Sequence, residues 1–286
     1  MQTEWNIPMI IYLLFVHTSA AYGSILLSNC TWETLLFALM LWPISGLGIT
    51  AGAHRLWAHR SYKATFPLRS VLMICNSIAN QGSIYHWARD HRVHHKHAET
   101  HADPHNAKRG LWFSHIGWLL EKKHPDVIKN GKRLLFDDLE NDSVVMFQKQ
   151  LDPWLSLGMC YIMPGIVVTY WGDTFWHGFY VAGALRYTSV LHFTWCVNSL
   201  AHLYGNRPYD KSIHATENLF VSVVAIGEGW HNWHHKYPFD YAASEMGVLE
   251  QYNPTKLFLD AMGYMNLASD FKRASSIWNK VKHKQQ

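Results

Sequence analysis

Residues 31–60 read TWETLLFALMLWPISGLGITAGAHRLWAHR. From Thr31 to Ala53 the only charge is Glu33. A run of about 20 apolar residues is what a helix needs to cross a bilayer. This run empties directly into His54-Arg-Leu-Trp-Ala-His59. A membrane helix that delivers two imidazoles to the membrane rim places metal-ligand chemistry there.

Three further stretches have the same length and character: about 7–28, 154–171 and 174–202. The turns within each pair are short, Asn29–Cys30 and Gly172–Asp173, so the expected fold is all-α and integral to the membrane, with four transmembrane helices in two hairpins. A cytosolic helical cap, 54–152 and 203–286, completes a single domain over 1–286. Of 25 Lys and Arg, 15 lie in 54–152 and nine in 203–286. Basic residues stay on the cytosolic side, so the cap and both termini are expected there. Arg186 sits inside the fourth stretch and should face protein or a water pocket. Residues 1–6 have no Lys or Arg, so the first apolar run reads as a retained span rather than a cleaved leader.

Composition agrees. Apolar residues make up 49% and charged residues 16%, below the roughly 25% charge of a soluble domain. A net charge of +4 with no nucleic-acid motif gives no reason to expect a nucleic-acid partner. Cys30, Cys75, Cys160 and Cys196 lie in apolar stretches without a CxxC pair and read as reduced, buried thiols. In the cap, 67–85 reads as helical, and LWFSHIGWLL (111–120) as an amphipathic helix on the membrane surface. Asp103-Pro104 and Arg207-Pro208 mark turns. The tail 252–286 ends in a polar, basic run expected to be solvated.

The 20 histidines are unevenly spread. HRVHH carries His91, His94 and His95; HNWHH carries His231, His234 and His235. Residues three and four apart share a helix face, so each set can aim at one point. Asn198 and His202 stand one turn apart. His54 and His59 straddle a helix end where the chain can bend. Nine imidazoles and one amide thus converge on one layer, too many for a single ion and suited to two. A structural zinc site is usually a closed four-ligand cage, often with Cys, and no Cys belongs here. His17, His177 and His283 read as ordinary surface or core histidines. Carboxylates that hydrogen-bond the far ring nitrogens and orient the imidazoles should come from Asp90, Asp103, Glu217 and Glu228.

GITAGAHRLWAHRSYKA (48–64), WARDHRVHHKHAETHADPHN (87–106), FSHIGWLL (113–120), TWCVNSLAHLYGNRPYDKSI (194–213) and GEGWHNWHHKYPFDY (227–241) together resemble the membrane acyl-CoA desaturases of the stearoyl-CoA (Δ9) desaturase family, the insect members especially. The resemblance implies di-iron ligands at His54, His59, His91, His94, His95, His202, His231, His234 and His235, with Asn198 acting through a metal-bound water. Zinc could occupy the same site in overproduced protein. It implies O2 as oxidant, a long-chain fatty acyl-CoA in a bent tunnel, and electrons from a separate cytochrome b5 and its reductase. It also implies a multi-pass location in the endoplasmic reticulum membrane. Gln81, Trp87, Thr194 and Trp195 match positions at the tunnel bend, and Arg89, Asp90, Lys122 and Lys123 match positions that meet the CoA head group.

Two departures stand out. Gly82 replaces an Asn common in the family, which would remove one CoA contact. The stretch before the first span is short, so either head-group binding is weaker or the chain is shortened. Trp42 and Gly46 lie about three and two turns before His54, where the tunnel should end, so Trp42 should limit chain length. The nearest rival is a membrane di-iron lipid hydroxylase, which shares the metal chemistry. A zinc hydrolase would show HExxH, which is missing. A metal carrier would place ligands along a pathway in mid-membrane rather than on its rim.

Overall fold

The structure is a computed structural model that describes residues 4–285. Among the described residues, three helices are long and apolar enough to cross a membrane: Ile7–Asn29, Trp32–Ala58 and Trp154–Trp171. The first starts at Asn6, whose side chain accepts from Met9 N, with Pro8 in the opening turn. Thr31 caps the second in the same way through Thr34 N. Ile11, Leu14, Ile25, Trp32 and Leu39 are exposed large apolar side chains, as a lipid-facing surface requires. The stretch 175–198 is also helical, and it carries the buried Arg186. That guanidinium donates to the carbonyls of Ala182, Ile78 and Cys160, so its charge faces protein.

The two short turns are tied together. Asp173 accepts from Thr31 N, Thr34 Oγ1 and Thr174 N, and stands 2.5 Å from His177 Nδ1. His177 is therefore a satisfied structural residue. His17 is one as well, between Leu13 O and His192. The side chain of His283 lies outside the described residues.

The second helix does not stop at Ala53 as expected; it continues to Ala58. At about 1.5 Å per residue, 27 residues reach about 40 Å, beyond a hydrocarbon core of about 30 Å. Its last 11 residues, Gly48–Ala58, are a π-helix. Gly48 permits this segment to lie on the cap helix Phe66–Ala79, because a Cβ there would stand 2.1 Å from Asn76 N. The cap core gathers Trp57, Tyr62, Leu72, Ile84, Leu139 and Leu259 from segments far apart in sequence.

The tail folds against the rest of the chain as far as Trp278. Helix Pro254–Tyr264 buries Leu259, and Lys63–Ala64 pairs antiparallel with Ala268–Ser269. Trp278 is 6% exposed and meets Trp233, the residue between two of the ligand histidines, edge-on at 6.2 Å. Apolar Ala274 and Trp278 anchor one face. Beyond Trp278 the described part of the basic run is solvated as expected, with Asn279, Lys280 and Lys282 exposed.

Candidate metal centre and tunnel

The π-helical turn explains the HxxxxH spacing. His59 N donates to His54 O at 3.0 Å, an i→i+5 bond. Five residues make one wide turn, so the two rings share a face with centroids 4.8 Å apart. The helix ends at Ala58, between the two histidines, and the chain turns at Arg60, whose φ is 51°. His91, His94 and His95 sit on helix Ile84–His97, and His231, His234 and His235 on helix His231–Lys236. Asn198 and His202 are not on one continuous turn: the helix ends at Asn198, Ser199 breaks it, and His202 lies in Leu200–Leu203. The break lets His202 Nε2 come within 3.0 Å of His231 Nε2, while the Asn198 side chain lines the adjoining cavities.

The nine histidines form two clusters. His54, His59, His91, His95 and His234 present ligand atoms within 4.8 Å of one another, and His94, His202, His231 and His235 do the same. His95 and His235 stack at 4.3 Å and join the clusters. His234 Nε2 lies 3.0 Å from His54 Nε2 and 2.9 Å from His95 Nε2. His231 Nε2 is equally close to His202 and His235. A neutral imidazole has one donor and one acceptor nitrogen, so one proton cannot satisfy two such neighbours. Lone pairs converging on a common point are a metal site's donor set, and the residues fit two nitrogen-bound ions.

Electrostatics favour the ligand state. Burial, then repulsion among the rings, holds His59, His91, His95, His231, His234 and His235 far below the ordinary imidazole range. They are neutral at pH 7, as metal binding requires. Burial pushes His94 down too, but the Asp103 carboxylate outweighs it and the net shift is upward. Asp103 Oδ1 stands 2.9 Å from His94 Nδ1, Glu228 Oε2 stands 3.0 Å from His54 Nδ1, and Glu99 Oε1 stands 2.8 Å from His202 Nδ1. Burial raises Glu228, but Arg55 and His54 lower it to about 2.

Two of the four expected carboxylates therefore orient imidazoles, Asp103 and Glu228. Asp90 instead pairs with Arg89 and Lys123. Glu217 accepts from the backbone N–H of Trp233 and holds the HNWHH helix rather than a ring. Sequence reasoning missed Glu99; it lies four residues after His95, but nothing local marks it as the partner of His202. Arg55 was missed as well. It is buried, donates to Glu228 Oε1 through Nε and Nη2, and fixes the carboxylate that faces His54.

Two cavities meet at this centre. The outer one, about 460 Å³, is lined by Gln81, Gly82, Trp87, Asp90, Thr194 and Trp195. The inner one, about 50 Å³, is lined by Trp42, Gly46, Ile49, Phe193, Val224 and Ile226. Both include Trp87, His91, Thr194 and Asn198, so the two spaces adjoin at the histidines. Gln81 Nε2 donates to Thr194 Oγ1 at 2.9 Å where they adjoin. Arg89, Asp90 and Lys123 line a neighbouring cleft in the cap, whereas exposed Lys122 pairs with Glu4.

The family model for fatty acid desaturases matches residues 31–246. The chain is 50% identical to stearoyl-CoA desaturase 5 of Bos taurus, over 95% of this chain and 80% of that one. It is 50% identical to an acyl-CoA Delta-9 desaturase of Acheta domesticus, over 95% and 75%. It is 51% identical to stearoyl-CoA desaturase of Homo sapiens, over 93% and 74%. The convergent histidines, the cavities that adjoin them and these similarities have one account: the chain belongs to the fatty acid desaturase family.

Proposed function

We propose that this protein is an acyl-CoA desaturase that introduces a double bond, Δ9 by default, into a long saturated chain. The observation that carries the reading is the pair of adjoining, mostly apolar cavities that His54, His91 and His231 line, at the edge of nine convergent imidazoles. The overall change is RCH2CH2R + O2 + 2 e⁻ + 2 H⁺ → RCH=CHR + 2 H2O. A methylene C–H has no useful acidity, so no side-chain base removes it; His54, His59, His91, His94, His95, His202, His231, His234 and His235 would hold two irons, which when bound would activate O2 as the oxidant. Asn198 would act through a water on that pair of ions.

The chain's own residues do the rest. Trp87, Thr194 and Trp195 line the cavities where they adjoin and set which carbons face the centre. The apolar walls exclude water. Arg89, Asp90, Lys122 and Lys123 meet the CoA head group, whose phosphates suit basic partners. Trp42 and Gly46 bound the far end. Residues 174–202 form a fourth span, and with basic residues confined to the cap and tail, both termini are cytosolic. The site then faces a cytosolic donor, cytochrome b5 with its reductase, at the endoplasmic reticulum membrane.

The test is expression in yeast lacking its own desaturase, with double bonds located by mass spectrometry and His94→Ala as control. A new monounsaturated acid absent from the control is expected. A hydroxy acid instead would transfer the assignment to a lipid hydroxylase.

A further inference from the structure

Helix His231–Lys236 supplies three of the nine histidines, yet it has only six residues. A helix that short takes its order from what packs on it, not from its own hydrogen bonds. His231 and His235 belong to the four-histidine cluster and His234 to the five-histidine cluster. At 3.6 residues per turn Trp233 leaves the helix on the opposite side, and it is fully buried there. Asn232 and Glu217 pin the start of the helix: Asn232 Nδ2 donates to Asp210 O and Ala215 O, and Glu217 accepts from Trp233 N.

The tail closes the side on which Trp233 lies. Around the Trp233 ring stand Tyr237 at 4.7 Å, Tyr209 at 4.9 Å and, from helix Ser275–Gln285, Trp278 at 6.2 Å. Trp278 also meets Tyr209 edge-on at 5.4 Å, and Lys236 Nζ stands 4.8 Å over its ring. One buried carboxylate serves both partners: Asp240 Oδ2 accepts from the Trp233 indole N–H at 3.3 Å and from Ala274 N at 3.0 Å. The tail's seat is small and incomplete. Ala274, Trp278 and half-buried Val281 carry its apolar contact. The Trp278 indole N–H is buried without an acceptor, a cost that an undocked tail recovers in water.

We propose that the tail helix is a latch on the metal centre, with Trp278 a positioning residue that acts through Trp233, so that tail docking and metal retention by His231, His234 and His235 are one coupled equilibrium. The proposal rests on the metal-centre reading above and gives it a control element that no imidazole touches. Metal and tail stabilise the same short helix from opposite faces. By reciprocity each strengthens the other by the same factor. The effect falls mainly on the four-histidine cluster, which takes two of its four ligands from this helix, against one of five in the other. Loss of metal loosens the tail, and the released tail marks the metal-free molecule.

The experiment uses the full chain in lipid nanodiscs, either loaded with Fe(II) under argon or stripped by chelator. Bound iron and the rate of tryptic cleavage are the readouts. Stripping should speed cleavage at Lys280 and Lys282 roughly 5- to 150-fold, the range of an ordinary coupling. Cleavage at Lys129 and Lys132, exposed in the cap, should not change. Trp278→Ala should give up one iron of the two at a chelator concentration lower by a similar factor. Trp278→Phe keeps a ring against Trp233 and should retain iron like the parent. If Trp278→Ala does not fold, the loaded and stripped forms of the unaltered chain decide alone. Tail cleavage that ignores iron, or that rises equally at all four lysines on stripping, would overturn the latch and leave the metal centre intact. A chain that takes up no iron would overturn both.

Discussion

Glu99 Oε1 lies 2.8 Å from Nδ1 of His202, a residue 103 positions later in the chain. Burial raises this carboxyl, but its bond to His202 more than offsets that and holds it below the ordinary carboxylate range. Glu228 stands in the same relation to His54 in the other histidine cluster. The two clusters thus have separate carboxylate supports.

Each support should be separable by metal content. Loss of such a partner typically lowers metal affinity by about 10–100-fold. Glu99→Gln should lose metal first from the four-histidine cluster and Glu228→Gln from the five-histidine cluster. Chelator titration followed by metal analysis checks this; equal loss from both clusters in either variant would contradict it.

The Gln81–Thr194 hydrogen bond where the two cavities adjoin bears on where the double bond falls. Thr194→Val keeps the shape and removes the acceptor, leaving the Gln81 amide short of a partner at a cost of about 1–3 kcal/mol. The expected result is a spread of double-bond positions with little loss of total product, read by mass spectrometry. A single unchanged position would show that the bond does not set the register.

Glu217 supplies a pH dependence. Burial raises its pKa to about 7, against partial relief from the Trp233 N–H. A carboxyl whose folded value exceeds its unfolded value of about 4.3 binds its proton more tightly when folded. Its contribution is therefore complete below about pH 4.3 and is lost as pH rises to about 7. Glu217→Gln should be more thermally stable than the parent at pH 8, by roughly 2–4 kcal/mol, and the difference should shrink toward pH 4. Melting in detergent across that range checks the trend; a difference that grows toward acid would reverse the sign and refute it.

Gly48 is a steric requirement. A Cβ would collide with the backbone at Asn76 and Cys75, which cannot swing aside. Gly48→Ala should separate the second span from the cap helix and lower stability by about 3 kcal/mol or more. Gly158, where a Cβ meets nothing within 4 Å, is the matched control. Comparable melting of the two variants would argue against the close approach.

The sequence by itself determined the long apolar helices and the capacity of each histidine set to bind metal. These depend on neighbours in the chain: run length against bilayer thickness, and spacings of three and four against the helix turn. Its limits show at particular residues. His54 and His59 read as straddling a helix end, which they do; that a π-helical turn brings a spacing of five onto one face, in a segment packed on helix Phe66–Ala79 through Gly48, shows only in the fold. Asp90 and Glu217 look as suitable near the histidines as Asp103, yet Asp90 turns to Lys123 and Glu217 to a backbone amide. Glu99 and Arg55 carry no local signal. Their roles arise where distant segments meet, so tertiary packing alone decided which carboxylate faces which imidazole.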